Sequence, residues 1–127
     1  MVRKYAMVVG VTVLLIGIVG LLLGQQSLFG ALNIDIAEDA IHLVTGGLLA
    51  YVGFAERHIA LARTVVGGIG IVYLLVGLVS FAEPNPLGLF PSEYSVLDNL
   101  IHITLGILAI AVVWLLPRDD RTNARTT

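Results

Sequence analysis

Four stretches of this 127-residue chain, residues 5–24, 36–56, 62–82 and 96–116, are dominated by apolar side chains. Each runs for about 20 residues, so that as a helix it matches the ~30 Å hydrocarbon layer of a bilayer. No other feature restricts the chain as strongly. In lipid, backbone N–H and C=O groups must be satisfied within a helix or a closed barrel. A barrel would show alternating segments of ~10 residues, and the sequence has none. The stretches are therefore read as four transmembrane helices of an all-α integral membrane protein. Composition supports this, because only 13% of residues are charged and 57% are hydrophobic, whereas a soluble domain carries about 25% charged residues. Arg3 and Lys4 before the first stretch resemble a signal peptide. That stretch is too long, however, and no small-residue cleavage site follows, so it is read as the first span.

The basic residues set the orientation. All seven lie on one side: Arg3 and Lys4, then Arg57 and Arg63 between the second and third stretches, then Arg118, Arg121 and Arg125. The other two connections, with the helix starts that follow them, carry Asp35, Glu38, Asp39, Glu83, Glu93 and Asp98 and no Lys or Arg. With Glu56, Asp119 and Asp120 counted against the seven bases, one side is formally +4 and the other −6, which recovers the total of −2. The positive-inside rule then places both termini and the middle connection in the cytoplasm, in a multi-pass protein of the cell (inner) membrane. Residues 1–116 form one four-helix domain, and the polar tail 117–127 is expected to be disordered and cytoplasmic. Tyr5, Tyr51 and Trp114 fall at the inner ends of helices and suit an interfacial aromatic belt. Leu28-Phe29-Gly30 and Leu89-Phe90-Pro91 suit anchors in the outer interface, and Asn85-Pro86 and Phe90-Pro91 mark turns. Lipid is thus the expected partner. Without cysteines there are no disulfides or thiolate centres, and without a basic run nucleic acid is not an expected partner.

An offset of 60 residues superposes the two halves without a gap. Arg3 meets Arg63, Gly10 meets Gly70, Gly17 meets Gly77, Ile41-His42 meets Ile101-His102, and Gly46 meets Gly106. The repeats, about 3–57 and 63–116, each hold two spans. They are therefore two tandem hairpins of the same membrane sense, related by an axis along the membrane normal. Gly10, Gly17 and Gly24 recur every seven residues, with Gly20 four before Gly24, and Gly46–Gly53 and Gly70–Gly77 repeat the spacing. With Gly106, these are read as helix-packing positions, since small residues let backbones approach closely in lipid.

One polar pattern recurs as well. Residues 35–38 (Asp-Ile-Ala-Glu) and 95–98 (Ser-Val-Leu-Asp) both read as capping boxes. His42 and His102 follow four residues after Glu38 and Asp98, on the same helix face and ~10 Å along the axis from the cap. An ionisable residue at that depth marks a candidate site. Glu38, His42, Asp98 and His102 together would suit a divalent metal, and the two histidines alone would suit haem. The structural alternative has the acids capping helices while the imidazoles bond to Thr45, Thr104, Asn99 or a loop carbonyl. His58 is expected to be solvated. No catalytic arrangement is legible, for Ser27, Ser80, Ser92 and Ser95 sit in no nucleophile motif and no glycine loop cradles phosphate. The expected function is that of a non-enzymatic structural or accessory subunit without a cofactor. It would act through helix–helix association, as a homo-oligomer or within a larger membrane complex. The alternative is a metal- or haem-binding membrane protein.

Several motifs together resemble a family of small four-span bacterial membrane proteins of unknown function. They are Leu28-Phe29, Asn33, and Ile41-His42-Leu43 with Gly46; Ala62-Arg63 and the run from Gly70 through Tyr73 to Gly77; and Asn99-Leu100-Ile101-His102. The resemblance implies the topology and the histidine pair, and it implies no activity.

Overall fold

The computed structural model describes residues 1–24, 35–83 and 95–115. The apolar stretches form four helices: α1 (Val2–Leu23), α2 (Ile36–Phe54), α3 (Ile59–Ala82) and α4 (Val96–Ile110), the last continuing into a π-helical turn, Ala111–Leu115. All four prolines lie outside them. Pro84 explains where α3 stops, since the residue before a proline is driven out of the helical region and Glu83 is extended at φ −138°, ψ 101°. Gly24 ends α1 at φ 70°, donating its N–H to the Gly20 carbonyl, a backbone state that glycine adopts without strain. At the far end of α2 the Arg3 side chain donates to the Gly53 and Phe54 carbonyls at 3.2 and 3.3 Å. A cation is favourable there, at the negative end of the helix dipole.

Val2–Leu23, Ile59–Ala82 and Val96–Leu115 are long and apolar enough to cross a membrane. Their outward faces carry Val8, Leu22, Leu75, Ile107 and many similar side chains in the open, a surface suited to lipid rather than water. α2 has 19 residues, with Glu38, Asp39 and His42 in its first two turns.

α1 packs along α2 and α3 along α4, with far fewer contacts between the two pairs. The buried residues of α1 are Val2, Ala6, Gly10, Val13, Gly17 and Gly20. Those of α3 include Ala62, Val66, Gly70, Tyr73, Gly77 and Ser80, the same positions 60 residues on. The glycine contacts follow the same offset. A Cβ on Gly46 would lie 2.5 Å from the Leu14 nitrogen, and one on Gly106 would lie 2.7 Å from the Leu74 nitrogen. A Cβ on Gly17 would lie 2.9 Å from the Asp39 carbonyl oxygen, and one on Gly77 would lie 2.8 Å from that of Asn99. Backbone meets backbone at these points, which is what small residues permit in a bilayer.

Two of the glycines expected to pack helices do something else. Gly24 has nothing within 4 Å of a built Cβ, because it has already left the helix and serves as its C-terminal cap. Gly20 accommodates the carboxylate of Asp39 rather than a helix backbone.

The apolar core, Val2, Ala6, Leu49, Val52, Ala62, Val66, Ala109 and Val113, occupies the end of the bundle that holds the N-terminus and the α2–α3 turn. Hydrogen bonds cross between the helix pairs: the Tyr5 hydroxyl donates to the Leu105 carbonyl at 2.8 Å, and the hydroxyls of Thr45 and Tyr73 meet at 2.7 Å. Tyr5 therefore turns into the bundle instead of lying in a belt. Tyr51 and Trp114 are exposed. The loop anchors at Leu28-Phe29-Gly30 and Leu89-Phe90-Pro91, the turn at Asn85-Pro86, and the tail 117–127 lie outside the described residues.

Candidate functional site

Both α2 and α4 begin with a side-chain cap, and the two caps differ. At α4 the bonds are reciprocal: the Asp98 N–H donates to Ser95 Oγ at 3.1 Å, while the Ser95 N–H and Oγ–H donate to Asp98 Oδ2 at 3.1 and 2.7 Å. At α2 Asp35 Oδ1 accepts from the Glu38 N–H at 2.8 Å, but Glu38 returns no bond to the cap. The Glu38 carboxylate turns inward instead.

There it meets the histidines. One ligand atom from each of Glu38, His42 and His102 can be chosen so that all three lie within 4.8 Å of one another. The imidazole rings of His42 and His102 are stacked, with centroids 6.4 Å apart and planes 18° from parallel. Tyr73 meets His102 edge-on at 5.2 Å and 89°. Val13 stands 60 residues before Tyr73, so the two histidines have unlike surrounds. A cavity of about 60 Å³ opens among these groups; Glu38, His42, Tyr73, Asp98 and His102 form its polar wall, and Val13, Ile16, Ile101 and Leu105 its apolar one.

Of the four residues singled out from sequence, three form this cluster. Asp98 lines the same cavity with its carboxylate engaged by Ser95. Of the partners anticipated for the imidazoles, the three side chains are placed as follows, and the loop carbonyls lie outside the described residues. Thr45 donates to the Ile41 carbonyl and pairs with Tyr73, Thr104 is exposed, and Asn99 Oδ1 is buried without a partner. His42 Nδ1 is likewise buried without a partner. Such groups are few in native proteins and each calls for a physical explanation. His58 is exposed at the start of α3, its backbone N–H donating to Glu56 Oε1 at 2.7 Å.

Tyr73 is the residue that sequence reasoning passed over. Its signal was a broken repeat: a polar aromatic where the matched position in the first half holds Val13. Asp39 was passed over as well. It is 3% exposed, and the absence of a side chain on Gly20 opens the space that it fills.

Residues 1–55, which comprise α1 and α2 with Glu38 and His42, match a family model described as a domain of unknown function, DUF4383. No curated protein and no solved structure matches the chain. This segment is thus similar to a family of unknown function, and the likeness carries no activity with it.

Proposed function

We propose that the chain is a four-span protein of the bacterial inner membrane, built of two duplicated hairpins in tandem, α1–α2 and α3–α4. Both termini and the α2–α3 turn are cytoplasmic. It works as a non-enzymatic structural or accessory component, in a homo-oligomer or a larger membrane complex.

The observation that carries the architecture is the constant offset of 60 in buried positions and glycine contacts. Chance matches in an apolar sequence would not reproduce the same backbone-to-backbone approaches. α2 counts as a span because it packs along α1 and at 19 residues reaches about 28 Å. Its polar groups sit at one end, where helix ends meet the interface. The accessory role is supported by apolar outward faces on all four helices. It is supported too by the place of the polar side chains, gathered in the seam between hairpins. Such a module holds membrane helices together.

Cysteine labelling tests the architecture, since the chain has no cysteine of its own. In intact cells an impermeant reagent is expected to modify Ser27→Cys and to spare His58→Cys and Thr126→Cys. Labelling of His58→Cys together with Ser27→Cys would remove α2 as a span, and labelling of the tail alone would invert the topology. For the accessory role, protein in mild detergent is expected to run above the mass of one chain or to carry a co-purifying partner. A lone monomer would overturn that part.

A further inference from the structure

We propose that Glu38, His42 and His102 bind one divalent transition-metal ion, which clasps the two hairpins together at the outer end of their seam. Two imidazoles and a carboxylate form a borderline donor set that suits zinc and its first-row neighbours better than calcium or magnesium. Glu38 and His42 come from α2 and His102 from α4, so neither hairpin holds the site alone. The inference rests on the two-hairpin reading for its position in the membrane.

Charge is the first argument. Glu38 is 4% exposed, and Asp35, Asp39 and Asp98 around it are buried as well. A buried carboxyl is ordinarily paired, coordinated to a metal or held protonated. No Lys or Arg occurs between Lys4 and Arg57 or between Arg63 and Arg118. Among the described residues the basic side chains, Arg3, Lys4, Arg57 and Arg63, therefore belong to the far ends of the helices, some 25 Å away by helix rise. The positive ends of the α2 and α4 dipoles face the site and oppose a cation. They amount to roughly half a charge each, against four formally anionic carboxylates. Three of these have a place of their own: Asp35 caps α2, Asp98 is held by Ser95, and Asp39 fills the space above Gly20. Glu38 is the one turned to the histidines.

Geometry is the second. Donors on a tetrahedral ion with bonds of ~2.1 Å lie ~3.4 Å apart, and the three donors already lie within 4.8 Å. Closure by at most about 1.4 Å is within the reach of side-chain torsions, without movement of α2 or α4. The cavity of about 60 Å³ holds an ion and the water that completes its shell, since one water needs only about 10–15 Å³ of such space. It has no slot for a porphyrin between the rings, which sets haem aside. The buried, unpartnered His42 Nδ1 is the polar atom that such an ion, or its water, would engage.

The test uses the full chain in detergent, stripped with chelator and then given Co²⁺. One equivalent of Co²⁺ should survive desalting, with visible ligand-field bands that Zn²⁺ abolishes. Retention should fall on acidification, as protons compete with the ion for the imidazoles and the carboxylate. Affinity should drop in Glu38→Gln and His102→Gln by more than about tenfold, the loss expected when even an outer-shell partner is removed. His58→Gln, outside the cluster, should bind like the parent chain. Helicity by circular dichroism guards against misfolding, and if His102→Gln fails to fold the nearly isosteric Glu38→Gln decides. No retained metal in the parent chain, or equal retention in Glu38→Gln, overturns the proposal. Failure here with the cysteine-labelling pattern intact would remove the ion and leave the four-span architecture standing.

Discussion

Replacing Gly106 by alanine probes the closeness on which each packed helix pair depends. A Cβ there would lie 2.7 Å from the Gly70 carbonyl oxygen, the Leu74 nitrogen and the Leu74 Cβ. Ordinary contact begins at 3.4 Å, so α3 and α4 must part locally by about 0.7 Å. A gap of that size forfeits about a quarter to a half of the dispersion attraction between the facing atoms. Because two of the three obstacles are backbone atoms, no rotamer change relieves the clash. Overpacking of this kind costs about 1–3 kcal/mol, while the intrinsic helix preference of alanine over glycine returns at most ~1 kcal/mol. A net loss of about 1–2 kcal/mol is expected. Gly68→Ala supplies the contrast: nothing lies within 4 Å of its Cβ, so only the propensity term remains, and the variant should be unchanged or slightly more stable. Unfolding in mixed micelles by SDS titration measures both, followed through Trp114, the single tryptophan, whose ring lies against Gly67 of α3. By the offset, Gly46→Ala should cost a similar amount in the first hairpin. If Gly106→Ala proves as stable as Gly68→Ala, the backbone contact between α3 and α4 is not what holds the hairpin, and the reasoning fails.

Two further outcomes follow from the hydrogen bonds. Tyr73→Phe removes the bond to Thr45 that crosses between hairpins, and should cost about 0.6 kcal/mol and no more than about 1.7, the range for such bonds in membranes; a double-mutant cycle with Thr45→Val that shows no coupling would refute the assignment. Ser95→Ala removes the α4 cap and should cost about 1 kcal/mol, read as faster hydrogen exchange at the Asp98 amide, with no change in exchange at Glu38 on the uncoupled α2 cap.

Four helices were legible in the apolar stretches, and three of them are long and apolar enough to cross a membrane, where lipid leaves the backbone one economical solution. Proline and glycine placement then set the ends of α3 and α1. Two helices begin before their apolar runs, α1 at Val2 and α3 at Ile59, because a helix does not stop where the hydrocarbon does. The recurrence of Gly10, Gly46, Gly70 and Gly106 identified the seams, since glycine at regular spacing is costly unless a neighbour needs the space. Gly24 shows the limit of that rule, for the same residue type at the same spacing became a cap once its backbone left the helix.

Sequence by itself determined the apolar helices, the separation of basic and acidic ends, and the recurrence of a carboxylate and an imidazole one helical turn apart. These are local properties, settled by composition and by periodicity along one chain. Tertiary structure decided which carboxylate faces the histidines. Asp98 and Glu38 occupy equivalent positions, yet Ser95 engages the first, while the Asp35 cap leaves the second to turn toward His42 and His102. It also set Tyr73 on the edge of His102 and lodged Asp39 above Gly20. Contacts of this kind depend on how far one helix pair is rotated and shifted against the other, and that is a property of two packed surfaces which neither segment encodes alone.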